Sequence, residues 1–161
     1  MLQNQQPENN QHWHTLAEFS VPSIPGNERQ AMEQVTLAVR DLHLPARRLE
    51  QLKTAVAEAT MNAMEHGNHY QADVPVIIQV QASPFVLAVR ITDEGEGPAA
   101  FEDQTPDLEA KLAELQSPRG WGLFLIKNLV DDLNIINTDN HHTVELILNL
   151  EEGNSHASQK S

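Results

Sequence analysis

The chain has no cysteine, which excludes a disulfide framework and any thiolate metal site. Cations are scarce as well: 10 Lys and Arg stand against 23 Asp and Glu, a formal net charge of −13. Such a surface repels phosphate backbones and anionic membranes and argues against nucleic acid as a direct partner, although plain solubility accounts for it equally. No apolar run approaches the length of a membrane span, and the opening MLQNQQPENNQ has neither a basic nor an apolar leader segment. The expectation is a cytoplasmic protein without a membrane partner. Internal repeats and low-complexity blocks are also missing. A length of 161 residues suits one domain around a single core. Residues 14–150 are expected to form it, with 1–13 and 151–161 as disordered polar tails.

Within that span, TLAEFSV reads as a short strand ahead of Pro22, Pro25 and Gly26. The run NERQAMEQVTLAVRDLHL sets Met32, Val35, Val39 and Leu42 at helical spacing and stops at Pro45. A second helix over roughly residues 46–66 carries Leu49, Leu52, Val56, Ala59 and Ala63 on one stripe, with Gly67 and Asn68 as its end signal. VPVIIQVQA and FVLAVRITD alternate and join at Ser83-Pro84 as a hairpin, and LNIINT and HTVELILNL form another across DNHH. Between the hairpins run a long loop rich in proline and acid, with one short helical piece, DLEAKLAEL, and then the helix GWGLFLIKNLVDDL. This mixture predicts an α/β (α+β) two-layer sandwich, a mixed, largely antiparallel sheet with helices on one face.

Three stretches carry chemistry. In VAEATMNAMEHGNHY, Asn62 is a poor helix former in mid-helix. A helical wheel gathers Glu58, Asn62, Glu65, His66 and His69 opposite the apolar stripe, which is the ordinary polar side of an amphipathic helix or a set of oxygen ligands aimed at one point. In ITDEGEGP, alternation puts Asp93 on the side of Phe85, Leu87, Val89 and Ile91, at the mouth of the apolar face. That is common turn chemistry, or a carboxylate that accepts a hydrogen bond from an exocyclic amino group, with Gly95 and Gly97 admitting a base. In RGWGLFLIKNLV, Gly120 and Gly122 lie just ahead of a helix whose core side is Leu123, Ile126, Leu129 or Val130, and Leu133. The glycines are a flexible entry to a core helix, or a site where free N–H groups and the helix dipole meet an anion, with Arg119 beside it.

Each pattern is common by itself; their order is specific. EATMNAMEHG, DEGEG and GWGLFLI resemble the three motifs of the gyrase, histidine-kinase and heat-shock-chaperone ATPase superfamily, the Bergerat ATP-binding fold, and above all those of anti-sigma factor serine/threonine kinases. The resemblance covers about residues 16–150 and implies ATP and Mg²⁺ as cofactors. It implies Glu58 as the general base, Asn62 as the Mg²⁺ ligand and Asp93 as acceptor for the adenine amino group. Gly97 would make room beneath the base, Gly120 and Gly122 would line the phosphates, and residues 98–118 would be a lid. Gly95, His66, Arg119 and Leu123 complete the nucleotide-binding set. Where such proteins often have Gly-Thr before the last strand, with the threonine near adenine, this chain has His141-His142 and then Thr143. Alternation puts Thr143 opposite the Val144, Leu146 and Leu148 face, so it is not assigned as a ligand; His141 and His142 read as turn residues. The implied partners are an anti-anti-sigma (STAS-type) substrate, a sigma factor and a second copy of the chain. Two alternatives are a nucleotide-gated partner-switching module without phosphotransfer, and a detached histidine kinase catalytic domain. For the latter, His12, His14 and His43 are the only upstream histidines, and they read as surface or cap residues.

Overall fold

The alternating runs each find an antiparallel neighbour. The computed structural model describes residues 12–95 and 118–150, without the side chains of 118–121. Most of the expected N-terminal tail, the C-terminal tail, most of the loop and Gly97 therefore lie outside the described residues. Five strands, β1 (His14–Val21), β2 (Val76–Ala82), β3 (Val86–Asp93), β4 (Asp132–Asn137) and β5 (His142–Asn149), make one sheet in the order β1-β2-β3-β5-β4. All four pairings are antiparallel, so among the described residues the sheet has no parallel member. The turn between β2 and β3 is closed by Ser83, whose Oγ accepts from the N–H groups of Phe85 (3.2 Å) and Val86 (3.1 Å). β5 inserts between β3 and β4, and its register sets His142 opposite Asp93 and Thr143 opposite Thr92.

Among the described residues three helices, α1 (Asn27–Ala38), α2 (Ala46–Asn62) and α3 (Pro118–Leu129), accompany the sheet. Ile78, Val80, Leu87, Val89, Ile91 and Leu146 alternate onto one face and are fully buried with Leu52, Val56 and Ile126 from the helices. Each such side chain contributes about 1.5–3 kcal/mol by leaving water. α2 is the central helix, touching α1, α3 and β3. α1 starts after Gly26, whose φ of 100° suits glycine, and Glu28 Oε1 accepts the Gly26 N–H at 2.9 Å. It ends at Ala38, short of the expected stop at Pro45. The chain then tightens into a 3-10 turn over Arg40–Leu42 that keeps Leu42 on the core, and His43 turns left-handed at φ 54°. Ala31, Val35 and Val39 are the buried residues here, and Met32 is only half-buried.

α2 buries Leu52, Ala55, Val56, Ala59 and Thr60, with Leu49 half-buried on the same core. Its regular ladder stops at Asn62, where the chain widens into a π turn over Ala63–Gly67. The wide turn is closed by a hydrogen bond from the Asn68 N–H to the Ala63 carbonyl at 2.9 Å. No helix among the described residues is long and apolar enough to cross a membrane.

Candidate functional site

Asn62 stands at the junction of α2 with the π turn rather than in mid-helix, which removes much of the propensity conflict. Such turns recur at functional sites. The expected polar face does not stay together, because the extra residue of a π turn shifts every later side chain out of helical phase. Glu58 and Asn62 are half-buried, while Glu65 and His69 are exposed. His69 and Tyr70 are both left-handed, at φ 53° and 54°. His66 is half-buried, with Nε2 3.8 Å from Glu65 Oε1, and is not among the residues that line the cavity described below.

Glu58 and Asn62 are covered by α3. A Cβ added to Gly122 would meet Glu58 Oε2 at 2.9 Å and Asn62 Nδ2 and Oδ1 at 3.0 and 3.3 Å. The backbone of α3 therefore lies directly on both polar side chains. Gly120 and Gly122 were expected ahead of this helix but lie inside it, since it starts at Pro118. Proline suits that first position because its missing N–H has no helical partner to lose. Gly120 remains in the first turn, where N–H groups are free to meet an anion. Gly122, two residues further in, supplies space. Arg119 is in the first turn too, and its side chain lies outside the described residues.

Burial, followed by the negative charge of Glu28, pushes the Glu58 carboxyl above the ordinary glutamate range. Asn62 Nδ2 is buried without a hydrogen-bond partner among the described residues. Turning that amide over presents its oxygen at the same place, a hard ligand for a small cation. The described residues contain no group of three or more His, Asp or Glu placed to hold a metal. A cation that arrives with nucleotide phosphates needs few protein oxygens, so this donor set fits one.

The other end of the site is built on the sheet. Asp93 closes β3 and is 3% exposed. Its Oδ1 accepts the Gly95 N–H at 2.8 Å, and its Oδ2 lies 3.2 Å from His142 Nδ1. A Cβ on Gly67 would fall 2.2–2.4 Å from the Asp93 carboxyl group, and one on Gly95 would fall 2.2 Å from the Gly67 carbonyl oxygen. Only glycines allow the π turn and the Asp93–Gly95 turn to touch this closely. Asn68 ties them together: its Nδ2 donates to Ser23 Oγ (3.0 Å) and to the carbonyls of Val74 (3.0 Å) and Pro75 (3.3 Å). Its Oδ1 accepts the Glu94 N–H at 2.9 Å.

Sequence reasoning missed two residues here. Asn68 passed for a helix end signal, and no local pattern distinguishes such a signal from a buried clamp. His142 passed for a turn residue like His141, yet His141 is exposed and His142 is 6% exposed on β5. A signal existed, because alternation puts His142 on the face of Val144, Leu146 and Leu148. The same alternation correctly sent Thr143 to the opposite face, where its Oγ1 is 2.7 Å from Thr92 Oγ1.

Ala59, Asn62, Ala63, Asp93, Leu123, His142 and Val144 surround one cavity of about 20 Å³. That is room for about one water, so any larger ligand enters only as α3 and the lining side chains give way. The cavity brings Asn62, Asp93 and Leu123 together, with Glu58 and Gly122 against Asn62 and Gly95 against Gly67.

A helix with glycines in its first two turns, laid on a helix bearing Glu58 and Asn62, and a buried strand-end Asp93 that shares a cavity with Asn62 make the arrangement of an ATPase domain. The chain belongs to the histidine kinase-like ATPase domain family, whose model matches residues 21–148, and ATP binding is what membership implies. Within it, the chain is 32% identical over 118 residues to the anti-sigma F factor of Bacillus velezensis, covering 73% of this chain and 79% of that protein. The anti-sigma F factor of Anoxybacillus flavithermus is 31% identical over 129 residues, or 80% and 88% of the two chains. Two crystal structures share the fold at 14% identity. The SiaB-SiaC complex from Pseudomonas aeruginosa superposes with a TM-score of 0.62 over 88% of this chain and 93% of that one. The RsbU and RsbW domains of Rv1364c from Mycobacterium tuberculosis give 0.58 over 83% and 32%.

Proposed function

We propose that the chain is an ATP-dependent protein serine/threonine kinase that also acts as an anti-sigma factor. Its substrate in this reading is an anti-anti-sigma protein of STAS type, and the setting is the cytoplasm. Similarity to anti-sigma F factors supports the partner class. One observation carries the chemistry: Asn62 and Asp93, which lie far apart in the chain, line one cavity, and Glu58 meets the same Gly122 that covers Asn62.

In this reading Asp93 holds the purine amino group, and the first-turn N–H groups of α3 face the phosphates. Glu58 orients the serine hydroxyl of the partner and accepts its proton as the oxygen forms its bond to the γ-phosphorus. The bond from that phosphorus to the bridging oxygen breaks, and ADP leaves. A carboxylate raised above the ordinary range by burial is a stronger base for this step than a solvated one. Asn62 would hold nucleotide-borne Mg²⁺, which supplies charge neutralisation on the phosphates. Catalysis of this kind is mainly positioning and charge stabilisation; Glu58 and Asn62 would supply the positioning, and the first-turn N–H groups of α3 with the nucleotide's own Mg²⁺ would supply the charge stabilisation.

Incubation of the chain with Mg-ATP and a candidate STAS-type partner, followed by phosphoserine detection, tests the reading. Transfer by the parent that is lost in Glu58→Gln, with nucleotide binding retained, is the expected result. Nucleotide binding without transfer in the parent would leave a nucleotide-gated switch in place of a kinase.

A further inference from the structure

We propose that His142 is a purine-reading residue, its Nε2 accepting a hydrogen bond from the exocyclic amino group beside Asp93, so that the pair selects 6-aminopurines. The inference rests on the ATP-site reading above and adds a specificity residue to it. His142 lines the same cavity as Asp93 and is 6% exposed. Its Nδ1 faces Asp93 Oδ2 at 3.2 Å. A carboxylate there accepts from Nδ1–H, so the neutral ring carries its proton on Nδ1 and keeps a lone pair on Nε2. Nε2 is buried and has no hydrogen-bond partner among the described residues. An acceptor left in that state is costly, and the ring cannot turn away without giving up Asp93.

The cavity thus offers two neighbouring acceptors between apolar walls from Ala59, Ala63 and Val144. Asp93 has one oxygen engaged by the Gly95 N–H and the other by His142, and each oxygen retains a second lone pair. An exocyclic amino group has two hydrogens, enough for both acceptors at once. A 6-oxo group would bring a third acceptor and leave all of them unpaired, which is how a polar site rejects a near-isostere.

The test compares ATP, GTP and purine riboside triphosphate, which lacks the amino group, on the full chain. Titration calorimetry on the parent and on His142→Phe reads the affinities, and melting without nucleotide checks that the variant folds. The variant is expected to weaken ATP about tenfold and the amino-less analogue less than about twofold. The parent, with labelled histidine, gives a measurement that does not depend on the variant: the Nε2 nitrogen resonance of His142 should move with ATP and stay with the amino-less analogue. Equal weakening of both nucleotides, an Nε2 resonance indifferent to ATP, or GTP bound as tightly as ATP would overturn the proposal while the ATP site stands. A parent that binds no nucleotide overturns both.

Discussion

The two ends of the cavity are held in different ways. At the sheet end, every polar atom of Asp93 and Asn68 is engaged: Gly95, His142, Ser23, Glu94 and the Val74 and Pro75 carbonyls form a continuous set of hydrogen bonds. At the helix end, Asn62 Nδ2 has no hydrogen-bond partner among the described residues, and Glu58 sits near the like charge of Glu28. Three cations are engaged away from the site: Arg48 with Asp131, Lys53 with Glu50 and Arg90 with Glu145. The sheet end is largely organised before ligand arrives, with His142 Nε2 left without a partner among the described residues, and the helix end leaves the buried Asn62 amide for a ligand to satisfy. Rigid recognition at one end and unsatisfied chemistry at the other suit a site that must bind first and transfer afterwards.

Changes at the helix end should strike activity and spare the fold. Glu58→Gln should lower phosphotransfer by about 10²–10⁴-fold, measured by initial rates with a phosphoserine readout, while the thermal shift given by Mg-ATP persists. Changes at the sheet end should strike the stability of the fold first. Gly95→Ala forces a Cβ against backbone, the Gly67 carbonyl, and should cost up to about 3 kcal/mol by overpacking. Urea unfolding of the ligand-free chain measures this, and a variant as stable as the parent would dissolve the contrast between the ends.

Asn68→Ala comes next, at about 2 kcal/mol, because it strands the buried partners of the side-chain amide. Its measurable companion is weaker ATP binding by calorimetry, since the Asp93–Gly95 turn loses its tie to the π turn. The smallest effect is the pH dependence of stability. Glu58 has a raised pKa in the folded chain, so there the folded state binds more protons than the unfolded one. Its destabilising contribution is absent below the ordinary glutamate pKa of about 4.3 and sets in as pH rises through the raised value. Unfolding curves of parent and Glu58→Gln should therefore coincide at low pH and separate above that window, with the variant the more stable.

Much of this was legible in the sequence because it is local. All five strands fell within a residue or two of the alternating runs, and Asp93 was placed correctly on the apolar face by counting in twos. The misses in element boundaries share one cause. The π turn after Asn62, the 3-10 turn after Val39 and the start of α3 at Pro118 are choices between backbone paths with similar local preferences, decided by what packs on top. A helical wheel drawn through residues 58–69 fails at that π turn, and so grouped Glu65 and His69 with residues they do not join.

By itself the sequence determined which segments alternate and which coil, and the order of the three motifs from which the ATPase family could be recognised. Only the tertiary structure decided that β5 enters between β3 and β4, which puts His142 against Asp93, and that Gly122 closes on Glu58 and Asn62. The physical reason is range: hydrophobic period and backbone propensity act over a few residues, whereas a buried hydrogen bond between residues 49 positions apart exists only once the core has chosen the strand order.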